Sequence, residues 1–484
     1  MPRATSAKKS KAPRATATLR PPSIITAMDD PALFGPFFEG ASWNNWRTVL
    51  KAAYGLPLTG QELEFFKSIA GQRNPHSGRA RELWVVAGRG GGKDAIASLI
   101  AAFAAALFDQ QHRLRPGERA LVLCLACDRD QAKIILNYIR SYFTDVPLLA
   151  NMLVRETANG FELNNGVDVA VGTNSFRAVR GRSILLAIFD EVAFWRDEDS
   201  AKPDEELYRA VTPGVARLAP HGMIIGISSP YRKAGLLHKK YKQHFGRDDD
   251  VLVIQAPTRT LNPTFSQSQV DRELAEDRAR AMAEYMGEFR DDIGGWLPLE
   301  VIESAVDQGV TTRPPHPALT YRSFTDASGG RGDSFTCAIA HDFQGIAVLD
   351  CVVEIPPPFN PMEAIAQVAA VLREYGVTET EGDAYAASFN SEAFAACGIT
   401  YRSTARDRSA IYTDALPLFT SGRVRLIDNR KMINQFAALE RRTSSSGRDR
   451  VDHGPGGHDD LCNAAAGALV AAIVPSNRPQ LYFA

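Results

Sequence analysis

The sequence predicts an α/β protein with two separate sheets, and three observations support this fold class. A glycine-rich turn near residue 88 joins a short apolar run to a helix-forming stretch. Apolar runs of strand length then alternate with helical patterns as far as residue 245, which is typical of a doubly wound, mostly parallel sheet. Beyond adjacent prolines at 314 and 315, three more strands follow one another directly, as in an antiparallel meander.

The length of 484 residues exceeds what one hydrophobic core usually supports, so we expect more than one domain. Residues 1–22 carry six basic side chains and no acid among Ala, Thr, Ser and Pro, a composition that cannot bury a core. The pattern changes divide the chain into a disordered basic arm (1–27), a first α/β domain (28–245), a connector (246–315), a second α/β domain (316–474) and a tail (475–484).

Composition limits the possible functions. The 55 basic and 56 acidic residues nearly cancel, so any contact with DNA must come from local patches, including the basic arm. Most of the six cysteines lie in apolar segments, which suits reduced thiols in the cytosol. Cys124 and Cys127 have no second pair at zinc spacing, so we expect them to be buried strand thiols. The sequence contains no uncharged apolar stretch of 18 residues, which predicts a protein that is neither secreted nor membrane-spanning.

The glycine-rich turn has the pattern of a phosphate-binding P-loop. In a strand, P-loop, helix unit, backbone N–H groups and the helix N-terminus converge on phosphate oxygens, and a lysine adds a positive charge. The expected phosphate-binding residues are Gly88, Gly90, Gly91, Gly92 and Lys93. The motif is a variant, because Ala87 and Asp94 stand where the usual pattern has Gly and Ser or Thr. A tight turn without a ligand is the alternative interpretation.

A second apolar run, residues 183–189, ends in Asp190 and Glu191. A continuous run of this length predicts a strand buried on both faces, with its carboxylates at the sheet edge where α/β proteins bind ligands. Asp190 would then hold Mg²⁺ through water, and Glu191 would polarise the attacking water of an ATPase. The alternative is a strand that ends in a solvated acidic turn. The next strand ends in Ser228 and Ser229, which would sense the γ-phosphate or form a plain turn.

Gln61 and Tyr54 lie upstream of the glycine-rich turn and are candidates for contacting adenine. An adenine site needs only a small apolar pocket with a few polar groups. A helix cap and a core aromatic explain the same two residues equally well.

Acidic residues recur at three points of the second domain. Asp326 follows a short strand, Asp383 ends another, and Asp459 and Asp460 begin an alanine-rich helix. This is the layout of an RNase H-like nuclease, in which converging carboxylates hold two divalent ions about 4 Å apart and hydrolyse a phosphodiester. Oxygen ligands predict Mg²⁺, with Mn²⁺ also possible.

The same acids also fit structural roles. Asp326 and Asp333 flank a glycine-rich turn, and the pair at 459 and 460 could cap a helix. Spacing does not choose between Asp459 and Asp460, because Asn463 shares a helix face with both.

The order of these motifs resembles that of bacteriophage terminase large subunits, in which an ATPase is followed by a nuclease. The resemblance runs from about Trp43 to Ala472. It rests on this ordered set: Gly88-Arg89-Gly90-Gly91-Gly92-Lys93, Arg180-Gly181-Arg182, Asp190-Glu191, Ser228-Ser229-Pro230, Leu261-Asn262-Pro263, Glu284-Tyr285 with Glu288-Phe289, Asp326 with Gly329-Gly330 and Asp333, Asp383, and His458-Asp459-Asp460.

The resemblance implies roles for individual residues. Lys93 would bind the β- and γ-phosphates, and Arg89 resembles an arginine that stabilises the transition state from the same chain. Ser228 and Ser229 would couple ATP hydrolysis to DNA movement. Asp326, Asp383 and one or both of Asp459 and Asp460 would bind the nuclease metals. Asp94 departs from the family pattern, since it offers an oxygen ligand to Mg²⁺ but adds a negative charge beside ATP.

The resemblance also implies a packaging motor that moves double-stranded DNA through a portal and cuts it, with a small terminase subunit, a portal protein and a homo-oligomeric ring as partners in the host cytoplasm. The rival hypothesis is a non-viral RNase H-type nuclease whose ATPase domain remodels or gates the DNA.

Overall fold

The computed structural model describes residues 21–107, 114–173, 180–197, 200–383, 386–443 and 449–473. Residues 1–20 of the expected basic arm and the expected tail, 475–484, lie outside the described residues.

Three helices precede the first sheet: α1 (Ile24–Asp29), α2 (Asn44–Ala53) and α3 (Gly60–Ile69). Helix α1 corrects the expected end of the basic arm at residue 27. Ser23 Oγ accepts a hydrogen bond from Thr26 N at 3.0 Å and so caps the helix. Ile24 and Met28 are buried in the core of the first sheet, so the apolar face of α1 is already part of the fold.

The first sheet has eight strands, in the spatial order β3-β4-β5-β2-β6-β7-β1-β8. Six neighbouring strands from β5 to β8 are parallel, and β4 and β3 extend the sheet antiparallel at one edge. Its elements in chain order are β1 (Glu82–Ala87), α4 (Lys93–Leu107), β2 (Ala120–Ala126), α5 (Arg129–Asp145), α6 (Pro147–Ala150), β3 (Leu153–Thr157), β4 (Gly160–Leu163), β5 (Val167–Thr173), β6 (Ser183–Asp190), α7 (Pro203–Ala216), β7 (Met223–Ser228), α8 (Gly235–His244) and β8 (Val251–Ala256).

The parallel register brings the predicted site residues to one sheet edge. Asp190 at the end of β6 pairs with Ile227 of β7, and Ser228 at the end of β7 pairs with Val86 of β1. The acidic strand end, the serine turn and the glycine-rich loop therefore meet at the carboxyl edge, where sheets of this type bind ligands.

The boundary expected at 245, between the first domain and the connector (246–315), falls before the last strand of the first sheet. Strand β8 pairs in parallel with β1 and completes the first sheet. Three short helices follow, α9 (Thr258–Leu261), α10 (Gln267–Glu276) and α11 (Arg278–Glu284), and then β9 (Ile293–Gly295), α12 (Leu299–Ser304) and β10 (Val306–Asp307). Strands β9 and β10 pair with strands of the second half of the chain. The local sequence of an edge strand does not indicate which sheet the strand will join. The boundary was therefore placed at 245, before β8, although β8 belongs to the first sheet.

The second sheet has seven strands, in the order β10-β16-β13-β12-β11-β14-β15. The predicted meander is confirmed, since β11, β12 and β13 are antiparallel neighbours, and the strands on both sides of it are parallel. The elements are β11 (Tyr321–Asp326), β12 (Phe335–Phe343), β13 (Ile346–Ile355), α13 (Pro361–Glu374), β14 (Glu379–Gly382), α14 (Ala387–Ala396), β15 (Thr400–Ser403), α15 (Arg408–Thr420), β16 (Val424–Ile427), α16 (Arg430–Ala438), β17 (Leu439–Thr443), β18 (Asp449–His453) and α17 (Asp460–Ile473).

Helix α17 packs unusually close to the second sheet. A Cβ at Gly467 would lie 2.3 Å from the ring of Phe324 in β11, so only glycine permits this approach. The apolar residues of α17 belong to the core beneath the sheet. This packing places Asp460, the first residue of α17, beside Asp326, the last residue of β11.

A small antiparallel sheet, β18-β17-β9, connects the two halves of the molecule. Its Glu440 is fully buried, and its carboxylate accepts hydrogen bonds from Tyr231 Oη at 2.7 Å and Arg196 Nη2 at 3.2 Å. Arg232 and Arg442 lie 3.8 and 3.4 Å from the same carboxylate. Three of these four partners belong to the first half of the chain, so Glu440 joins the two halves.

Candidate functional site

Lys93 is the first residue of α4 and is 5% exposed at the carboxyl edge of the first sheet. Its Nζ lies 2.8 Å from Glu191 Oε1. Burial lowers the pKa of Lys93, but the charges of Glu191, Asp94 and Asp190 outweigh burial, so the net pKa is raised. Lys93 and Glu191, which the sequence predicted to share a site, are therefore in direct contact.

The outer side of the glycine-rich loop is held by side chains that donate to its carbonyl groups. Trp46 Nε1 of α2 donates to the carbonyl of residue 91 at 2.8 Å. Thr258 Oγ1 donates to the carbonyl of residue 89 at 2.9 Å, and Asn262 Nδ2 donates to that of residue 90 at 2.9 Å. These contacts hold the loop through its carbonyl oxygens, whereas a phosphate would bind backbone N–H groups.

The loop glycines are required by close packing. A Cβ at Gly88 would lie 2.2 Å from Thr258 Oγ1. A Cβ at Gly90 would lie 2.7 Å from the ring of Phe265, and Gly90 also has a φ of 79°. Gly92 has a φ of 84° and faces the tryptophans at 43 and 46. Side chains at these positions would displace the loop or strain its backbone.

Glu191 is held in a left-handed conformation with φ 46° and ψ 43°, which is uncommon for a residue with a side chain. Its Oε2 accepts hydrogen bonds from Ser228 Oγ and Ser229 N, both at 3.0 Å. The two serines at the end of β7 thus position the carboxylate of the neighbouring strand. The sequence predicted these residues at the site but not this contact.

Asp94 and Asp190 form an acidic pair beside Lys93. Asp190 is 5% exposed, and burial together with the charges of Asp94 and Glu191 raises its pKa to about 8. Burial also raises the pKa of Asp94. Across the described residues, Oδ1 of each aspartate is buried without a hydrogen-bond partner. Two unsatisfied carboxylate oxygens fit a divalent cation, because Mg²⁺ prefers oxygen ligands and would offset their repulsion.

Arg89 does not reach the acidic pair in this structure. Its side chain is 66% exposed, and Nη1 lies 3.8 Å from Glu284 Oε2. Gln61 is exposed in the first turn of α3, whose cap is Thr59. Tyr54 packs edge-to-face on Phe103, so its aromatic ring serves the core. The roles assigned to Arg89 and Gln61 stay predictions.

A cavity of about 540 Å³ lies at the end of β11 in the second half of the chain. Its lining includes four of the aspartates and two arginines, which are Asp326, Asp333, Asp383, Asp460, Arg331 and Arg408. The predicted convergence of Asp326, Asp383 and Asp460 is therefore observed. Asp326 is 6% exposed and accepts a hydrogen bond from Asn463 Nδ2 at 2.7 Å. Burial raises the pKa of Asp326 to about 7, although the bond from Asn463 opposes this change.

Asp459 and Asp460, between which spacing did not choose, have different surroundings. Both carboxylate oxygens of Asp459 are engaged, Oδ1 by Arg408 at 2.9 Å and Oδ2 by the Tyr412 hydroxyl at 2.9 Å. Asp460 lines the cavity, and its Oδ2 accepts a hydrogen bond from Ser334 N at 3.1 Å. Of the two residues, only Asp460 lines the cavity, so these contacts favour Asp460 within the expectation that one or both aspartates bind metal.

A second group of ligand atoms adjoins the cavity. One atom each of Asp333, His458 and Asp460 lie within 4.8 Å of one another, a spacing that fits a divalent ion with nitrogen and oxygen ligands. From its glycine-rich surroundings, Asp333 was expected mainly to be a turn residue, and His458 had no separate predicted role. The glycine-rich segments around both residues are the signal that could have found them, because such segments bring ligands close to a site.

Residues 58–286 match the family model described as "Uncharacterized protein MJ0330, N-terminal P-loop domain". No curated protein matches this chain. This region is therefore similar to a P-loop domain, as the glycine-rich turn predicted, and the predicted α/β fold class is confirmed.

Several solved structures are similar to this chain. The HK97 bacteriophage large terminase is 15% identical and covers 88% of this chain and 99% of its own, with a TM-score of 0.37. A large terminase from a thermophilic bacteriophage, solved in complex with ADP, is 12% identical and covers 82% and 95%, with a TM-score of 0.37. The large terminase nuclease of the thermophilic phage G20c is 17% identical and covers 35% and 95%, with a TM-score of 0.30.

These neighbours are large terminases, the family that the motif order resembles. The chemistry of the two sites is inferred from the residues of this chain alone. Among the helices that the structure describes, none combines the length and apolar character needed to cross a membrane.

Proposed function

We propose that this chain is the large subunit of a phage or prophage DNA-packaging terminase. It would hydrolyse ATP to move double-stranded DNA into a procapsid, and it would cleave concatemeric DNA at a two-metal site. One observation carries the proposal: a single chain presents a Lys93–Glu191 pair beside a glycine-rich loop and a separate cavity with four aspartates.

The ATP site supports hydrolysis through residues with separate tasks. Lys93 would exchange its 2.8 Å contact with Glu191 for the β- and γ-phosphates. Glu191 keeps its bonds from Ser228 and Ser229, so its carboxylate stays in place to orient water. Asp190 and Asp94 would hold Mg²⁺, which neutralises phosphate charge when bound. Ser228 and Ser229, which contact Glu191 at the end of β7, would couple ATP hydrolysis to DNA movement.

The aspartate cavity supports phosphodiester hydrolysis. Asp326, Asp383 and Asp460 would hold the divalent ions, and Asp333 with His458 would complete the set on the side of Asp460. Bound Mg²⁺ or Mn²⁺ supplies an activated water and stabilises the leaving oxygen. Asn463 orients Asp326 by donating to its Oδ2, so the carboxylate is fixed before metal binds.

The proposed partners are double-stranded DNA, a portal protein, a small terminase subunit and other copies of this chain in a ring, in the cytoplasm of the host. A packaging assay tests this role directly. Portal-bearing procapsids, ATP and this chain should protect DNA from added DNase, whereas a nuclease that only uses ATP for gating would give no protection.

The ATPase assignment is tested by Glu191→Gln. The variant should bind ATP as the wild type does but lose turnover by about 10²–10⁴-fold, the usual contribution of a general base. Glu156→Gln is the matched control, since Glu156 lies on the edge strand β3 and is half exposed. Hydrolysis at the parent rate in Glu191→Gln would show that another group orients the water.

The nuclease assignment is tested by Asp383→Asn in the full chain. Plasmid cleavage with Mn²⁺ should collapse, while ATP hydrolysis should continue, because the carboxylate lies in the other half of the molecule. Asp342→Asn is the control, since Asp342 lies at the opposite end of β12 and an asparagine can still accept the bond from Gly345 N. Unaltered cleavage in Asp383→Asn would remove the nuclease from the proposal.

A further inference from the structure

Arg408 shares the aspartate cavity but was given no role by the sequence. It is the first residue of α15, a helix whose N-cap Asp407 accepts a hydrogen bond from Ala410 N at 2.7 Å. Its side chain is 38% exposed, and it lines the cavity together with Asp326 and Asp383. The position of Arg408 needs an explanation, because a guanidinium among carboxylates that are expected to bind metal would compete with the metal ions for those carboxylates.

The guanidinium group is bound on one side by Asp459. Nη1 of Arg408 lies 2.9 Å from Asp459 Oδ1, and the Tyr412 hydroxyl donates to Oδ2 of the same carboxylate at 2.9 Å. The Asp459 side chain is 2% exposed, whereas Arg408 remains accessible from the cavity. A buried carboxylate that makes two hydrogen bonds thus fixes one side of the guanidinium, and among the described residues no other hydrogen bond engages its N–H groups, which can therefore bind a ligand.

The chemistry of a guanidinium in this position selects phosphate. Its planar fork matches two oxygens of a phosphate group, and such bonds are stronger than neutral hydrogen bonds. Phosphodiester hydrolysis forms a bond from water oxygen to phosphorus and breaks the bond to the leaving sugar oxygen, which keeps the electron pair and takes a proton. Charge accumulates on the non-bridging oxygens during this exchange, and a fixed cation beside them stabilises the transition state. Arg408 keeps all its protons throughout.

We propose that Arg408 contacts a non-bridging phosphate oxygen of the DNA strand that is cut, and that Asp459 is the positioning residue that aims it, with Tyr412 holding Asp459. This inference rests on the proposed nuclease function. It replaces the metal-binding role of Asp459 with a role in orienting the arginine. It also gives separate roles to the two adjacent aspartates: Asp460 lines the cavity, and Asp459 orients Arg408.

The test uses the full chain and the variants Arg408→Ala, Arg408→Lys, Asp459→Asn and Tyr412→Phe. Arg423→Ala is the matched control, since Arg423 is exposed just beyond the other end of α15. Cleavage of a labelled DNA duplex is measured with Mn²⁺ to give kcat and KM. Binding of the same duplex is measured with Ca²⁺ at several salt concentrations, and thermal unfolding is recorded for each variant.

Arg408→Ala should lower kcat by about 10²–10³-fold, as removal of one fixed transition-state donor does. Its salt dependence of binding should be about one unit shallower in log–log slope, because one phosphate contact is lost. Added methylguanidine should restore part of the rate. Asp459→Asn and Tyr412→Phe should lower kcat less and leave the slope near that of the wild type, since Arg408 is still present.

Three results would overturn the inference. Arg408→Ala could cleave DNA at the rate of the control with an unchanged salt slope. It could lose thermal stability alone while cleaving normally below its unfolding temperature. Asp459→Asn could abolish cleavage as Asp383→Asn is expected to do, which would return Asp459 to the metal ligands. A wild type without metal-dependent cleavage would instead remove the nuclease function, and the salt slope with Ca²⁺ would still show whether Arg408 binds DNA phosphate.

Discussion

Replacing Glu440 with alanine should destabilise the molecule more than any surface substitution. The carboxylate is fully buried and accepts a hydrogen bond from the Tyr231 hydroxyl at 2.7 Å. Its removal leaves Arg196, Arg232 and Arg442 clustered without their common anion. Breaking a buried ion pair by removing one partner costs about 3–5 kcal/mol. A domain of this size loses about 2–4 °C in Tm per kcal/mol, so Tm should fall by roughly 6–20 °C.

The assay is thermal unfolding followed by circular dichroism at fixed pH and salt. Glu440→Gln should fall between the wild type and Glu440→Ala, because an amide oxygen can still accept from Tyr231 but carries no charge. Glu303→Ala is the control, since Glu303 is 44% exposed and lies 3.5 Å from Arg430. Such a surface pair contributes about 0–1 kcal/mol. A Tm for Glu440→Ala equal to that of the control would refute the reasoning that the buried carboxylate joins the two halves.

Three other predictions concern the two sites. Arg89→Ala should lower ATP turnover by orders of magnitude with little change in nucleotide Kd, because the exposed guanidinium can leave Glu284 for the transition state; an equal loss in Kd would assign it to binding. Asp94→Ser should retain ATP hydrolysis, since serine is a usual ligand of the Mg²⁺ in P-loop enzymes; complete loss in a steady-state ATPase assay would make the aspartate essential. Burial raises the pKa of Asp190 to about 8 and that of Asp326 to about 7, whereas both are near 3.8 in the unfolded chain. The protonated carboxyls therefore stabilise the metal-free fold fully below about pH 3.8, and this stabilisation is lost as the pH rises through 7–8. Mg²⁺ needs the ionised carboxylates, so its effect on Tm should increase from pH 6 to 8.5, and an equal increase in Tm at both pH values would contradict this.

The sequence predicted the elements whose signals are local. The glycine-rich turn, the apolar run before Asp190 and the meander that begins at β11 all appear where the patterns placed them. Parallel strand order then brought Lys93 to Glu191, because strand ends at one sheet edge are neighbours. These predictions needed only hydrophobic period, strand length and the position of polar residues at strand ends.

The remaining features depend on contacts between distant segments. Arg408 and Asp459 are 51 positions apart, and their contact is set by how α15 packs on α17. Thr258 binds the glycine-rich loop from 169 positions away. Strand β8 was assigned to the connector because an apolar run does not show which sheet edge it will occupy. Sequence periodicity carries no information on such pairings.

The close packing outside the glycine-rich loop changes how this motif should be used to recognise function. Gly88 faces Thr258 and Gly90 faces Phe265 at distances that exclude any side chain, whether or not a nucleotide binds. A descendant that lost ATP hydrolysis would therefore keep these glycines for the sake of its fold. Among distant relatives, loss of the Lys93–Glu191 pair would mark an inactive site while the glycine pattern still looked intact.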